Sequence, residues 1–399
     1  MASALKKYSA TTWFVTAFAM FFGRGFLYSS WSSRGPEVQE RLGVSITDMG
    51  ILATLFAAGA ILGVLLSGRI VSHRGSRVLA IATFIGMPTA MALAVVGVLI
   101  GSFPLAAVAI FVYGLPFGAA DFVSNVEAAD LDRSSAKSRL PMLHGGYSIG
   151  VLAGASITSL LIVANIPLEV QVGITLLAVG AFTVYRVAGI PAHHGKPTHD
   201  AGESADIRPK LSPAAKRRVT LISTIAFVFV LAEGAAAIFI PLALVTAGRT
   251  PAEAALAYTL FALGMAFARV VGGWIVDRIG RTRVILISAI LAASGVALFS
   301  FAQFGQFEYV GALLWGLGNS LPIAMTVSAA TDNPTTANRS QSTLWTWVYF
   351  GNLGVGPILG GASALVGPFA AFLIPVAFLV YSAVISGVTR RDPELPPVG

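Results

Sequence analysis

Twelve stretches of about twenty mostly apolar residues recur along this 399-residue chain, and that recurrence leaves few folds open. They run roughly over 11–32, 47–68, 78–100, 104–129, 140–163 and 168–188, then over 219–245, 252–275, 284–304, 309–331, 341–364 and 368–388. A helix of that length crosses the hydrocarbon of a bilayer with every backbone hydrogen bond made inside the segment. Composition points the same way. Charged residues make up 11% of the chain, against about 25% in soluble domains. Hydrophobic residues make up 56%, too much for the polar remainder to cover a water-facing surface. A soluble globular protein, a disordered chain and a disulfide scaffold are excluded. With no cysteine there is also no thiolate metal site and no cysteine nucleophile. The expected fold is an all-α integral membrane protein of twelve transmembrane helices.

Charge sets the orientation. With the N-terminus inside, Arg34, Arg41 and Arg249 fall outside and Arg24 and Arg269 fall within spans. The other 21 of the 26 Lys and Arg residues face the cytoplasm. This bias places both termini in the cytoplasm. It accounts for the net charge of +8 without a nucleic-acid partner. Lys6 and Lys7 precede an apolar run, as in a signal peptide, but no small-residue cleavage site follows and Arg24 comes next, so the segment reads as a retained helix. Residues 189–218 are polar, rich in proline and charge, and read as a flexible cytoplasmic linker between a six-helix bundle over 1–188 and a second over 219–399.

The two halves repeat. TLFAAG at 54–59 returns as TLFALG at 259–264, and Gly68, Ile70, Val71 and Gly75 return at the same offset as Gly273, Ile275, Val276 and Gly280. Pro36 matches Pro241, and at a slightly shorter offset Asp130 matches Asp332. The halves are therefore parallel repeats. The loop after span 8 reads Gly273-Trp-Ile-Val-Asp277-Arg278-Ile-Gly280-Arg281-Thr-Arg283 and resembles the signature loop of the major facilitator superfamily. Its counterpart after span 2 keeps Gly68 and Gly75 but has Ser72 where the acid stands. Span 4 carries Gly114, Gly118, Asp121, Asn125 and Glu127, a pattern similar to the fucose-permease-like branch; segments 140–154 and 315–332 resemble a poorly characterised bacterial group beside it. The resemblance implies a substrate site near the midplane between the halves. It implies proton coupling through the span-4 carboxylate, and a cytoplasmic gate at Asp277, Arg278 and Arg281.

An ionisable side chain inside a span costs a few kcal/mol or more, so each is a functional candidate. In the resembled fold spans 1, 4, 7 and 10 line the cavity, and Arg24, Asp121, Asn125, Glu127, Glu233 and Asn319 all lie on them. Arg24 is read as a substrate cation or as the partner of Asp121 or Glu233. Asn125 and Asn319 supply amides, and Tyr28 and Trp315 aromatic surface, for substrate. Asp121 and Glu233 are the proton-coupling carboxylates. Glu127 lies near the end of span 4 and reads as a gate charge, paired with Arg133, Lys137 or Arg139. Arg269, two turns before Asp277, also reads as gating or packing. His144 reads as helix packing.

Three motifs mislead. Gly146-Tyr-Ser148-Ile-Gly150 matches a nucleophile elbow but lies inside span 5, where Gly146, Gly150 and Gly154 suit close helix packing. His193, His194 and His199 lie in the linker and read as solvated loop residues rather than metal ligands. Gly356-Pro357-Ile-Leu-Gly360-Gly361 in span 11 resembles a drug/proton antiporter motif that belongs in span 5. The expected protein is thus a monomeric, proton-coupled secondary transporter of a small sugar-like or carboxylated metabolite in the bacterial inner membrane. It is not an enzyme and needs no cofactor or metal. A proton-driven drug or metabolite exporter is the alternative, and a membrane receptor that binds without flux is a third reading.

Overall fold

The computed structural model describes residues 10–133, 140–191, 194, 211–301, 307–333 and 336–390. Both terminal segments lie outside the described residues, as do most of the 189–218 connection with His193 and His199, Lys137 and Arg139, and the side chain of Arg133. Every expected span falls on helix. The first six are α1 (Ala10–Ser32), α3 (Ile46–Arg74), α4 (Ser76–Leu99), α5 (Phe103–Arg133), α6 (Leu140–Val163) and α7 (Leu168–Tyr185), with a short α2 (Gly35–Leu42) between the first two. The rest are α8 (Pro213–Thr246), α9 (Pro251–Ile279), α10 (Arg281–Ser300), α11 (Glu308–Asn319), α12 (Pro322–Ala330), α13 (Ala337–Val355), α14 (Gly361–Val366), α15 (Pro368–Ala371) and α16 (Leu373–Ile385). Nine helical segments among the described residues are long and apolar enough to cross a membrane. The helices over 11–32, 168–188 and 341–364 fall short of that description: α1 carries Arg24 at its centre, the apolar part of α7 is short, and the span-11 segment is interrupted.

Two interruptions follow from proline. The tenth span breaks after Asn319, because Pro322 has no N–H to continue the ladder and disfavours helical backbone at Leu321. In the eleventh, a π-helical turn over Gly356–Gly360 holds Pro357. The kink expected there is a π-bulge, in which the carbonyl that proline cannot serve is bypassed.

The chain folds as two compact units, one of Met1–Ala201 with Thr250–Ala255 and one of Gly202–Arg249 with Leu256–Gly399. In the first, α1 lies along α6, α3 and α4 lie along α5, and α7 lies along α4. In the second, α8 lies along α13, and α10 along α11 and α16. The repeat is visible in backbone geometry. Gly75 and Gly280, the matched signature-loop glycines, both take positive φ, 86° and 77°, at the junctions α3–α4 and α9–α10. Side chains other than glycine are strained there, and so the turn is the same in both units.

The three arginines assigned to the outer side each meet a carboxylate. Arg34 pairs with Glu37 at 2.6 Å, Arg41 with Glu37 at 2.8 Å and Glu169 at 3.0 Å, and Arg249 with Glu308 at 2.7 Å. Arg34 also donates to Gln171 and to the Ile166 carbonyl, fastening α2 to the α6–α7 turn.

Candidate functional site

The site grows out of how closely two pairs of helices approach. On α6, a side chain at Gly150 would strike the Phe22 carbonyl of α1, and on α1 one at Gly25 would strike the Tyr147 carbonyl of α6. The glycine spacing thus brings backbone to backbone, as the small-residue pattern implies, and Ser148 sits inside a continuous helix. Gly118 of α5 approaches Ala60 of α3 in the same way. These contacts fix α1, α5 and α6 so that Arg24 points across to Asp121.

Arg24 Nη1 donates to Asp121 Oδ1 as a direct ion pair. One turn on, Asn125 Nδ2 donates to the Asp121 carbonyl at 2.8 Å and to its carboxylate at 3.2 Å. The guanidinium carbon of Arg24 lies 4.7 Å from the Tyr147 ring centre, 5.5 Å from Phe117 and 5.8 Å from Phe21, within cation–π range. The Arg24 side chain is 10% exposed and that of Asp121 36%, so the pair has one buried and one open end. Arg24 Nε is buried without a hydrogen-bond partner among the described residues. Tyr28 stands against Phe117 and Phe56, which continue the aromatic wall. Arginine, carboxylate, amide and aromatic rings together can bind the hydroxyls and ring face of a polar metabolite. The reading of Arg24 as the partner of Asp121 is therefore the one the geometry carries. Tyr147 and Phe117 were missed by the sequence reading, although Tyr147 lies between the glycines of the packed face.

In the second unit Glu233 is half-buried on α8, and the charge acting on it is that of Arg269 on α9. No cation lies near Glu233 in sequence; Arg269, read there as gating, supplies one through the fold. Asn319 is fully buried and donates to the Phe229 carbonyl at 3.1 Å, while its Oδ1 has no hydrogen-bond partner among the described residues. Trp315 is fully buried in an aromatic cluster with Phe261, Phe299 and Phe372. In this structure it is core rather than a surface offered to substrate.

The gate residues divide. Asp277 is exposed and makes no ion pair among the described residues, and Arg278 lies over Trp274 at 3.8 Å. Arg281 instead binds Asp332 through both terminal nitrogens and donates Nε to the Thr389 carbonyl at 2.7 Å. Arg218 donates to Asp332 at 2.8 Å and to the Arg390 carbonyl at 2.9 Å. Burial would raise the Asp332 carboxyl, but the hydrogen bonds and charges of Arg281 and Arg218 win and hold it below its ordinary value. Asp332 was visible in the sequence only as the repeat partner of Asp130. Glu127 is fully buried, and the partners described for it are Trp13, Ser76 and His194; the expected pairing with Arg133, Lys137 or Arg139 lies outside the described residues. His194 is likewise buried and not a solvated loop residue. His144 is exposed with its ring 4.8 Å from Phe21. Among the described residues no group of three or more His, Asp or Glu could hold a metal ion.

Residues 222–399 match the family described as Major Facilitator Superfamily. Over those residues the chain is similar to the major facilitator superfamily. It is 26% identical over 374 residues to an uncharacterised MFS-type transporter of Yersinia pestis, covering 93% of this chain and 94% of that one. It is 27% identical over 389 residues to membrane protein MosC of Rhizobium meliloti, covering 96% and 92%. Among solved structures, a mutant of the nucleoside transporter NupG aligns with a TM-score of 0.75 at 13% identity, over 94% of this chain and 99% of that one. The E. coli fucose:proton symporter FucP aligns with a TM-score of 0.63 at 17% identity, over 95% and 100%. These two share the fold. The matched part, residues 222–399, resembles a superfamily of membrane transporters, which are not enzymes.

Proposed function

We propose that the chain is a proton-coupled secondary transporter that moves a small polar metabolite, sugar-like or carboxylated, across a bacterial inner membrane. It works by alternating access of two six-helix halves, 1–188 and 219–399, with both termini and the 189–218 linker in the cytoplasm, and it acts as a monomer. The observation that carries the reading is the Arg24–Asp121 pair, bound by Asn125 and walled by Tyr28, Phe117 and Tyr147. A charge pair of this kind inside a helix bundle is costly to retain and marks a transport path. Protonation of Asp121 releases Arg24 to bind substrate, and Glu233 with Arg269 is the corresponding candidate in the second unit. Titratable pairs that open and close are what couples a proton to a conformational change. That a nucleoside transporter and a fucose:proton symporter share the fold guides the choice of ligands.

The test is thermal stabilisation of purified protein by sugars, nucleosides, small carboxylates and cationic drugs, at pH 5.5 and 7.5. A bound ligand raises apparent stability by mass action. A polar-metabolite hit that vanishes in Asp121→Asn or Arg24→Ala supports the proposal. Stabilisation by bulky apolar cations alone, insensitive to Arg24, overturns it in favour of an exporter.

A further inference from the structure

His194, beyond the end of α7, meets three other helices. After a 3-10 turn at Val187–Gly189, the backbone carbonyl of His194 accepts the N–H of Ser76, the first residue of α4, at 2.9 Å. The His194 ring lies 4.7 Å from the Trp13 ring of α1, and its Nδ1 is 3.1 Å from Glu127 Oε2 near the end of α5. Trp13 Nε1 donates to the same carboxylate at 2.7 Å, and Ser76 Oγ donates to its other oxygen. Three helices and the start of the inter-unit connection thus meet on one fully buried carboxylate. We propose that His194 and Glu127 form a proton-binding latch that holds the beginning of the inter-unit segment against the first unit, tight when His194 is protonated and loose when it is not.

The chemistry of the site requires a titratable partner. Trp13 and Ser76 are neutral donors, and a buried carboxylate needs an opposite charge as well as hydrogen bonds. Among the described residues His194 is the group in contact that can supply it. Among the described residues, the charged groups that face the imidazole are Glu127 and Asp130, both from α5; α1 contributes Trp13 and α4 contributes Ser76. Burial lowers the imidazole, but the Glu127 hydrogen bond and the charges of Glu127 and Asp130 outweigh it and hold His194 above its ordinary 6.5. A group raised in the docked state contributes its stability below its free value and loses it as pH rises through the docked one. Deprotonated imidazole can keep the hydrogen bond in one tautomer but not the charge, so the latch loosens rather than vanishes.

The second unit makes the contrast. There, too, a 3-10 turn, Ser386–Thr389, follows the last helix, and the carbonyls of Thr389 and Arg390 are held by Arg281 and Arg218 on Asp332. Arg281 stands at the repeat position of Ser76. The fastening is the same, but in the second unit it rests on guanidinium, whose charge does not change with pH. Only the first unit's version responds near neutrality.

The test uses the full-length protein in lipid nanodiscs between pH 5.5 and 8.5. Imidazolium beside an indole quenches its emission, so the signal is the wild-type fluorescence minus that of Trp13→Phe. The latch predicts that this difference rises with pH around a midpoint above 6.5, is flat in His194→Gln, and has its midpoint lowered by about a unit in Glu127→Gln. Because Glu127→Gln alters a fully buried group, a second readout stands beside it: the melting deficit of His194→Gln relative to wild type is larger at pH 6 than at pH 8. A Trp13 signal that does not move with pH, or an equal deficit at both pH values, overturns the latch. Neither readout needs substrate, so failure here is separate from failure of the transport proposal.

Discussion

Removing one charge from the Arg24–Asp121 pair should cost more on one side than on the other. Breaking a buried ion pair by deleting one partner costs about 3–5 kcal/mol, because it strands the other charge. Here the Arg24 side chain is 10% exposed and that of Asp121 36%. Asp121→Asn strands the buried partner, a guanidinium that cannot shed its proton. Arg24→Gln strands the more open partner, a carboxylate that can take one up. With Asp121 a third open to solvent, the full figure is discounted to about 2–3 kcal/mol for Asp121→Asn and about 1 kcal/mol for Arg24→Gln. In a unit of this size a kcal/mol moves the melting temperature by roughly 2–4 °C. Asp121→Asn should therefore melt roughly 4–12 °C low and Arg24→Gln about 2–4 °C low. The double variant, which strands no charge, should recover most of the loss. The assay is thermal unfolding of the four proteins at pH 7, read as a double-mutant cycle. Losses that simply add in the double variant, or a larger cost for Arg24→Gln, would refute the reasoning.

Gly150→Ala puts a methyl group into the Phe22 carbonyl; overpacking costs about 1–3 kcal/mol, and uptake should fall with melting temperature as α1 moves off α6, whereas Gly145→Ala, which meets nothing within 4 Å, should change neither. Trp315→Phe keeps the aromatic packing and removes a buried N–H without a described partner, so folding and uptake should both survive; full stability with lost uptake would restore a substrate role to that residue. Asp332→Asn strands Arg218 and Arg281. Because the native carboxyl is held below its ordinary 3.8, its stabilisation is present above that value and lost as pH falls through the lowered one, so the melting deficit should be constant over pH 6–8 and shrink only in strong acid; a deficit that changes between pH 6 and pH 8 would contradict the assignment.

The helices were legible because a bilayer-spanning segment writes its length into hydropathy. The sequence repeat was legible because Gly75 and Gly280 take the same positive φ, so it survives where side chains have drifted. Arg24 and Asp121 were legible one at a time, since a charge in an apolar span stands out. Their pairing was open, because residues 97 apart meet only through the glycine contacts of α1 with α6 and α3 with α5. The partners described for Glu127 were not legible. A tryptophan, a serine and a histidine leave no charge signal, and His194 lies in a segment whose composition reads as solvated linker. Trp315 was misjudged for a related reason: an aromatic on a cavity-lining span and an aromatic in a core look alike until the three phenylalanines around it are brought together.

The central claim is that Asp121 and Glu233, carboxylates inside the helix bundles, couple proton movement to transport. The direct measurement is flux in proteoliposomes, using a ligand found by thermal stabilisation, with and without an imposed pH gradient, for wild type, Asp121→Asn, Glu233→Gln and the double variant. The account predicts that wild type accumulates the ligand against its gradient when a proton gradient is imposed. At least one neutral variant should exchange ligand across the membrane but no longer accumulate it. Gradient-driven accumulation that persists undiminished with both carboxylates neutralised would contradict it.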